Sequence, residues 1–291
     1  MPEQIVQFTI TGILTGSIYA LVAIGLVTFY NVTGILNLAQ GDFVMLGGMI
    51  FVSIYKLGLP LLPAAVLSII LIAIIGIFIE RTAIYTARNS PIIILISITV
   101  GLGIFLHGLA LIIWGTSPQS TSSFIGSVPI RIYGAVLPPQ GILVIISLLL
   151  LLLVLYIFFE KTILGTSLKA CMINPEASQL VGINVRNMSM LSFTISAAIG
   201  AIGGIIVAPI SGITYDMGLM LSVKGFMAMV IGGMTNVFGA VVGGLILGLF
   251  ESFTAGMIST IYSDAISFVI LILFLFLLPN GLFAKSKGKR V

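Results

Sequence analysis

Residues 223–257 read VKGFMAMVIGGMTNVFGAVVGGLILGLFESFTAGM, and the layout of the whole chain turns on this stretch. It carries only two charges, Lys224 and Glu251. It is also about 35 residues long, where a straight helix needs about 20 to cross some 30 Å of hydrocarbon. The excess has to be absorbed by a break. The centre, Gly232-Gly233-Met234-Thr235-Asn236-Val237-Phe238-Gly239, offers one. Backbone released from a helix cannot face lipid unpaired, so the break must face protein or a water-filled cavity.

The same character extends outward. Of the 291 residues, 59% are hydrophobic and 7% charged, and the mean hydropathy is +1.29. Soluble domains carry roughly 25% charge, so this chain has too little to cover a water-facing surface. The pI near 9.3 does not point to nucleic acid. The 12 Lys and Arg are scattered singly, except for the tail Lys285, Lys287, Lys289, Arg290, which reads as an anchor at a lipid surface. Cys171 is the only cysteine, so neither an internal disulfide nor a cysteine metal cluster can form. Met1–Gln4 lacks a positive n-region, and the apolar run behind it is too long for a cleavable signal. It reads as a retained first span.

An unpaired charge at mid-bilayer costs at least about 2.5 kcal/mol, so the intervals between charges outline the spans. They fall near 5–30, 34–55, 60–80, 92–114, 140–159, 187–208, 223–257 and 264–280. This predicts an all-α integral membrane protein of about eight hydrophobic segments, one of them broken or re-entrant, forming a single transmembrane domain over 1–291. Basic loops belong in the cytoplasm. Placing 160–186 inside also puts Arg81 and Arg88 inside, and leaves the N-terminus, Lys56 and the Arg131 loop outside. For the basic tail to be inside as well, 223–257 must begin and end on the outer side. Parity therefore favours a re-entrant segment or a two-helix hairpin there.

The inner segment 164–187 contains its own helix signal. Asn174 can cap, Pro175 suits the first helical position and Gly182 the residue past the end. Ala177, Leu180 and Val181 then share one small apolar face. Such a face suits either a partner or an ordinary interfacial helix.

Glu176-Ala177-Ser178-Gln179-Leu180-Val181-Gly182 resembles the EAA-x-x-x-G loop of ABC importer permeases, with Ser178 where a second Ala is usual. Three further stretches are similar to the H-type permease of branched-chain amino acid ABC transporters. The first runs from Gly16-Ser17-Ile18-Tyr19-Ala20-Leu21 to Asn37-Leu38-Ala39-Gln40-Gly41-Asp42-Phe43. The second runs from Leu164-Gly165-Thr166-Ser167-Leu168-Lys169-Ala170 to Gly182-Ile183-Asn184-Val185, and the third from Lys224-Gly225-Phe226 through Gly232-Gly233 to Glu251. The resemblance covers most of the chain in order. It implies a heteromeric importer with a second homologous permease, two cytoplasmic ATPase subunits and an extracytoplasmic solute-binding protein. The substrate would be leucine, isoleucine or valine, although relatives carry urea or short amides. It implies ATPase coupling through Lys169, Asn174, Glu176, Ala177, Leu180 and Gly182, in a coupling loop at 160–186. Lys169 stands where Arg is common, which keeps the charge and loses the bidentate fork.

Candidate pathway residues are Asn37, Gln40, Gly41, Asp42, Gly232, Gly233 and Asn236. A carboxylate in an apolar run usually faces a polar interior. If a helix breaks near Gln40-Gly41, the free amides of the next half-helix could meet a substrate carboxylate or stabilise Asp42. The alternative is a headgroup-level Asp at a helix end. Glycines 200, 203, 204, 232, 233, 239, 243, 244 and 248 suit close helix packing. His107 reads as a lone packing histidine without a second ligand, Asp216, Glu251 and Asp264 as wetted span ends, and Trp114 as an interfacial anchor.

No G-x-x-x-x-G-K-S/T occurs, so ATP hydrolysis needs another chain. With one His, one Cys and no G-x-S-x-G, a membrane enzyme has no catalytic set, and no cofactor or metal site is expected. The readings left are a multi-pass permease of a bacterial or archaeal plasma membrane or a stand-alone secondary transporter using Asp42.

Overall fold

The computed structural model describes residues 2–126 and 128–283. The basic tail at 285–290 lies outside the described residues. The chain is helical nearly throughout: α1 Pro2–Thr33, α2 Gln40–Lys56, α3 Leu61–Ile79, α4 Ile92–Trp114, α5 Pro139–Lys161, α6 Ile163–Ile173, α7 Pro175–Leu180, α8 Val185–Ser211, α9 Met217–Gly232, α10 Val237–Met257 and α11 Ser263–Leu277. A π-helical turn, Glu80–Ile84, extends α3. The only sheet among the described residues is a small antiparallel hairpin of β1 Ile130–Ile132 and β2 Ala135–Leu137, in the outer loop.

Seven of the described helices are long and apolar enough to cross a membrane. They are not equivalent. In α1 and α8, 67% of the most apolar window is buried, against 22% in α4 and α5. The first pair is therefore the centre and the second the wall that meets lipid. The sequences agree: α1 and α8 carry glycine, serine and threonine among their apolar residues, whereas α5 carries a nearly unbroken run of leucine. Small residues let backbones approach, and leucine is as content in lipid as in protein.

Two helices are short. α2 has 17 residues and α9 has 16, so at 1.5 Å per residue each is about 25 Å long, short of the ~30 Å hydrocarbon core. The segment expected as a span over 34–55 is helical only from Gln40. Gly34 takes φ +69° and ends α1, and residues 34–37 run irregularly before a turn enters α2. The break considered near Gln40-Gly41 is therefore present, and the span expected from residue 34, where the uncharged stretch 34–39 reads as apolar, starts later.

The break in 223–257 is present. α9 ends at Gly232, Gly233 takes φ +110°, and the Asn236 side chain accepts from the Gly239 amide to start α10. Because α9 begins at Met217, the result is a two-helix hairpin with legs of 16 and 21 residues. Its turn lies beside the end of α1, where the Asn31 amide donates to the Thr235 carbonyl at 3.0 Å. The two legs pack against each other, with the Gly232 backbone close to that of Gly239. The chain closes on the turn again further on, with the Leu282 and Phe283 amides donating to the Ile231 and Gly232 carbonyls.

Orientation is tested by cysteine labelling with an impermeant reagent. Ser178 is 3% exposed, so the inner reporter belongs at the exposed neighbour Gln179. Ile125→Cys should react in intact cells and Gln179→Cys only after permeabilisation; the reverse pattern would invert the assignment. Position 287 lies outside the described residues. The native background is quiet, because Cys171 is buried and burial pushes its thiol up, leaving little reactive thiolate.

Candidate functional site

The first candidate site is the start of α2, held inside the protein. The Gln40 side chain is fully buried, with its Nε2 donating to the Ser196 carbonyl at 2.9 Å and the Ser196 hydroxyl 2.6 Å from its Oε1. The Gly41 amide donates to the Ser222 hydroxyl of α9 at 2.7 Å. Any side chain at 41 would enter the backbone of Gly218 and Ser222. The two short helices thus meet near their N-termini. Asn37, also buried, uses its Oδ1 to accept from the Ala39 amide, while its Nδ2 has no partner.

Asp42 stands in the first turn of α2, where a carboxylate is favoured by the helix dipole. It is 1% exposed. A headgroup-level, wetted Asp is therefore excluded. The amide of Gly41 is taken by Ser222 and that of Asp42 by the Ala39 carbonyl, so neither of these amides stands free for a carboxylate. Gly103 and Gly218 make room for the carboxylate.

His107 is not the lone histidine expected. Its Nε2 lies 2.5 Å from Asp42 Oδ1, which makes an ion pair when the imidazole is protonated. The two side chains are in close contact inside the protein, where no other side chain partners either atom. Nothing local in the sequence points to this pairing. The two residues are joined only when α4 is laid beside α2. Replacing His107 by Leu should strand a buried carboxylate at a cost on the order of 3 kcal/mol. Asp42→Asn in the same chain should recover most of the lost membrane abundance and thermal stability. Strictly additive effects of the two changes would show that the pair is not coupled.

A second buried charge cluster was also not foreseen. Lys224, 2% exposed, reaches Glu251 at 2.9 Å and Asp264 at 2.7 Å, tying α9 to α10 and α11. Glu251 and Asp264 are therefore partners of a buried cation, not merely wetted span ends. A lone Lys in an apolar run was the available signal. Trp114 donates to the Ser53 hydroxyl at 2.6 Å, which fixes the outer end of α4 on α2.

Gly232, Gly233 and Asn236 do not join the cluster at Asp42. They form the hairpin turn at the inner side. A side chain at Gly232 would strike the Gly239 backbone, so this glycine brings the legs together. The adjoining residues Thr235, Val237 and Phe238 line a cavity of about 190 Å³ with Thr28, Asn31 and Tyr156.

The segment expected to couple, at 160–186, is built as its residues require. The Asn174 side chain accepts from the Ala177 amide at 3.0 Å, Pro175 starts α7, Glu176 stands in its first turn, and Gly182 takes φ +86°. Beneath it α6 buries Leu168 and Cys171 against Val32 and Met188. Ser178 turns inward and donates to the Asn174 carbonyl at 2.8 Å. The departure from the usual Ala is thus on the inward face. Ala177 is exposed, as are Leu180 and Val181 at 89% and 75%. Lys169 instead pairs with Glu160 at the end of α5, so its charge is spent within the chain.

α7 is thus a capped helix that leaves an apolar face exposed. Residues 8–275 match the family described as branched-chain amino acid transport system / permease component. The chain belongs to this family. It is 32% identical, over the full length of both chains, to the high-affinity branched-chain amino acid transport system permease protein LivH of Salmonella typhimurium. It is 30% identical, again over both full lengths, to BraD of Pseudomonas aeruginosa. A probable branched-chain amino acid permease of Methanocaldococcus jannaschii is 30% identical over 93% of this chain and 90% of its own. PsaBC of Streptococcus pneumoniae, solved in complex with Fab, has a TM-score of 0.51 at 15% identity, covering 93% of this chain and 91% of that one, and shares the fold alone. The protein is a multi-pass permease of the cell membrane and a transporter subunit rather than an enzyme.

Proposed function

We propose that this permease forms the translocation pathway of an ABC importer for leucine, isoleucine and valine, as a single transmembrane domain over 1–291. It works with a second homologous permease, two cytoplasmic ATPases that supply hydrolysis, and an extracytoplasmic solute-binding protein. The observation that carries this reading is the coupling helix α7. Its fold is complete without help from Leu180 and Val181, whose side chains are left in water, and exposed apolar patches rimmed by polar residues mark interaction sites. Asn174, Glu176 and Gly182 set the helix, and Ala177 and Leu180 present the surface. Lys169 acts indirectly by fixing α6 on α5.

On the transport side, Asn37, Gln40, Gly41 and Asp42 form the junction of the two short helices. Paired short or broken helices at depth are where transporters place their substrate sites. Gly232, Gly233 and Asn236 form the inner turn of the hairpin and support the pathway from below.

The Asp42–His107 pair favours one competing reading, a proton-coupled carrier working alone. Uptake of labelled leucine into proteoliposomes separates the two. Import should require the ATPase subunits, the solute-binding protein and internal ATP, and should persist when an ionophore collapses the proton gradient. Uptake driven by the gradient in the absence of ATP would establish the carrier instead.

A further inference from the structure

Beside the coupling helix lies a cavity of about 720 Å³ that pathway and coupling leave unused. It is framed by the inner end of α1, the segment joining α3 to α4, α7, and the start of α8. Two arginines line it, Arg88 and Arg186, together with Tyr85. Both guanidinium carbons lie over the Tyr85 ring, 4.3 and 4.2 Å from its centre.

No carboxylate lines this cavity, and neither arginine has a salt bridge among the described residues. The nearby Glu80 is fully buried and accepts from the Ser189 hydroxyl at 2.9 Å. Tyr85 steadies both exposed guanidinium groups at the cavity by cation–π contact. An oxyanion in the cavity would take up the planar donor forks that arginine presents to phosphate.

The remaining walls indicate where such an anion comes from. Ile92 and Leu95 line the cavity and belong to the start of α4. Ile92, Ile93 and Ile94 are 63%, 78% and 48% exposed on this lipid-facing helix. The arginines thus line a cavity at the start of a helix with an exposed apolar face, and basic residues at the end of such a helix belong at headgroup level. That is the polarity profile of a phospholipid and not of a free ion. Basic pockets between helices on the cytoplasmic side suit anionic headgroups.

We propose that this cavity binds the phosphodiester of an anionic phospholipid, held by Arg88 and Arg186 with its acyl chains along α4. Pro175, Gln179 and Gly182 line the same cavity, so the bound lipid also braces the coupling helix. This site is independent of the substrate assigned above.

The test is lipid retention by the permease purified from membranes with its associated subunits, measured by native mass spectrometry after exchange into phosphatidylglycerol or phosphatidylcholine. Two arginines at about 1 kcal/mol each predict roughly a 10- to 30-fold preference for phosphatidylglycerol. The Arg88→Gln, Arg186→Gln double variant should lose that preference at unchanged membrane abundance. The Arg88→Lys, Arg186→Lys variant, which keeps the charge, should retain most of it, and Arg131→Gln in the outer loop should retain all of it. An unchanged preference in the double Gln variant would overturn the proposal. So would displacement of the lipid by millimolar inorganic phosphate, which would make the site one for soluble anions. Loss of the ATPase subunits with lipid preference intact would assign the arginines to an acidic protein surface instead.

Discussion

Replacing Leu180 by Asp should abolish uptake and capture of the ATPase subunits while leaving the amount of permease in the membrane unchanged. The side chain is 89% exposed and takes no part in any buried cluster of the chain, so the free subunit loses nothing by the change. In the importer proposed above, the same position meets the ATPase. A carboxylate buried there without a partner costs about 3 to 5 kcal/mol, or a factor of a few hundred or more in affinity. Gly182→Val should reach the same phenotype by another route. At φ +86° a β-branched residue is strained, and the exit of α7 swings away from its docking direction. The measurement is a pull-down with membrane abundance quantified in parallel. Undiminished capture and uptake by Leu180→Asp would remove the coupling role and leave the stand-alone carrier as the better account.

Gly204→Val should prevent folding altogether. A Cβ at this position of α8 would run into the Val44 carbonyl and come within 2.5 Å of the Gly48 amide nitrogen, both backbone atoms of α2. Backbone cannot step aside as a flexible side chain can, so the helices must separate. That loss exceeds the ~1 to 3 kcal/mol typical of overpacking, in a protein whose whole stability is on the order of 10 kcal/mol. The neighbour is the control. At Gly203 the nearest atom to an added Cβ is a Val44 methyl at 3.7 Å, an ordinary contact, so Gly203→Ala should be neutral or slightly stabilising. Membrane abundance and the thermal aggregation midpoint of the two variants decide the matter. Equal tolerance at both positions would mean that α2 and α8 do not cross as described.

Stability and transport therefore rest on different features of the sequence. The Gly204 contact holds α2 in place, and α2 carries Gln40 and Asp42 to the meeting point with α9. Leu180 contributes to neither. Its exposed position has meaning only when a second protein covers it.

The contrast between these glycines marks the boundary between what could be read and what could not. Local chemistry determined the spans, because charge is costly in hydrocarbon and the intervals between charges set the helix lengths. It determined the hairpin break at Gly233–Asn236, because 223–257 is too long for one crossing and glycine supplies the turn. It determined α7 as well, since cap, first-turn proline and terminal glycine act within a few residues of one another. Only the tertiary structure decided which of two adjacent glycines faces a neighbouring backbone, and that Asp42 meets His107 and Lys224 meets Glu251 and Asp264. It alone revealed that α2 starts at Gln40, held by Ser196 and Ser222 from other helices. These features depend on the rotation and register of helices distant in sequence. In a membrane those are set by the fit of small residues and by buried pairing, interactions that leave no periodic mark along the chain.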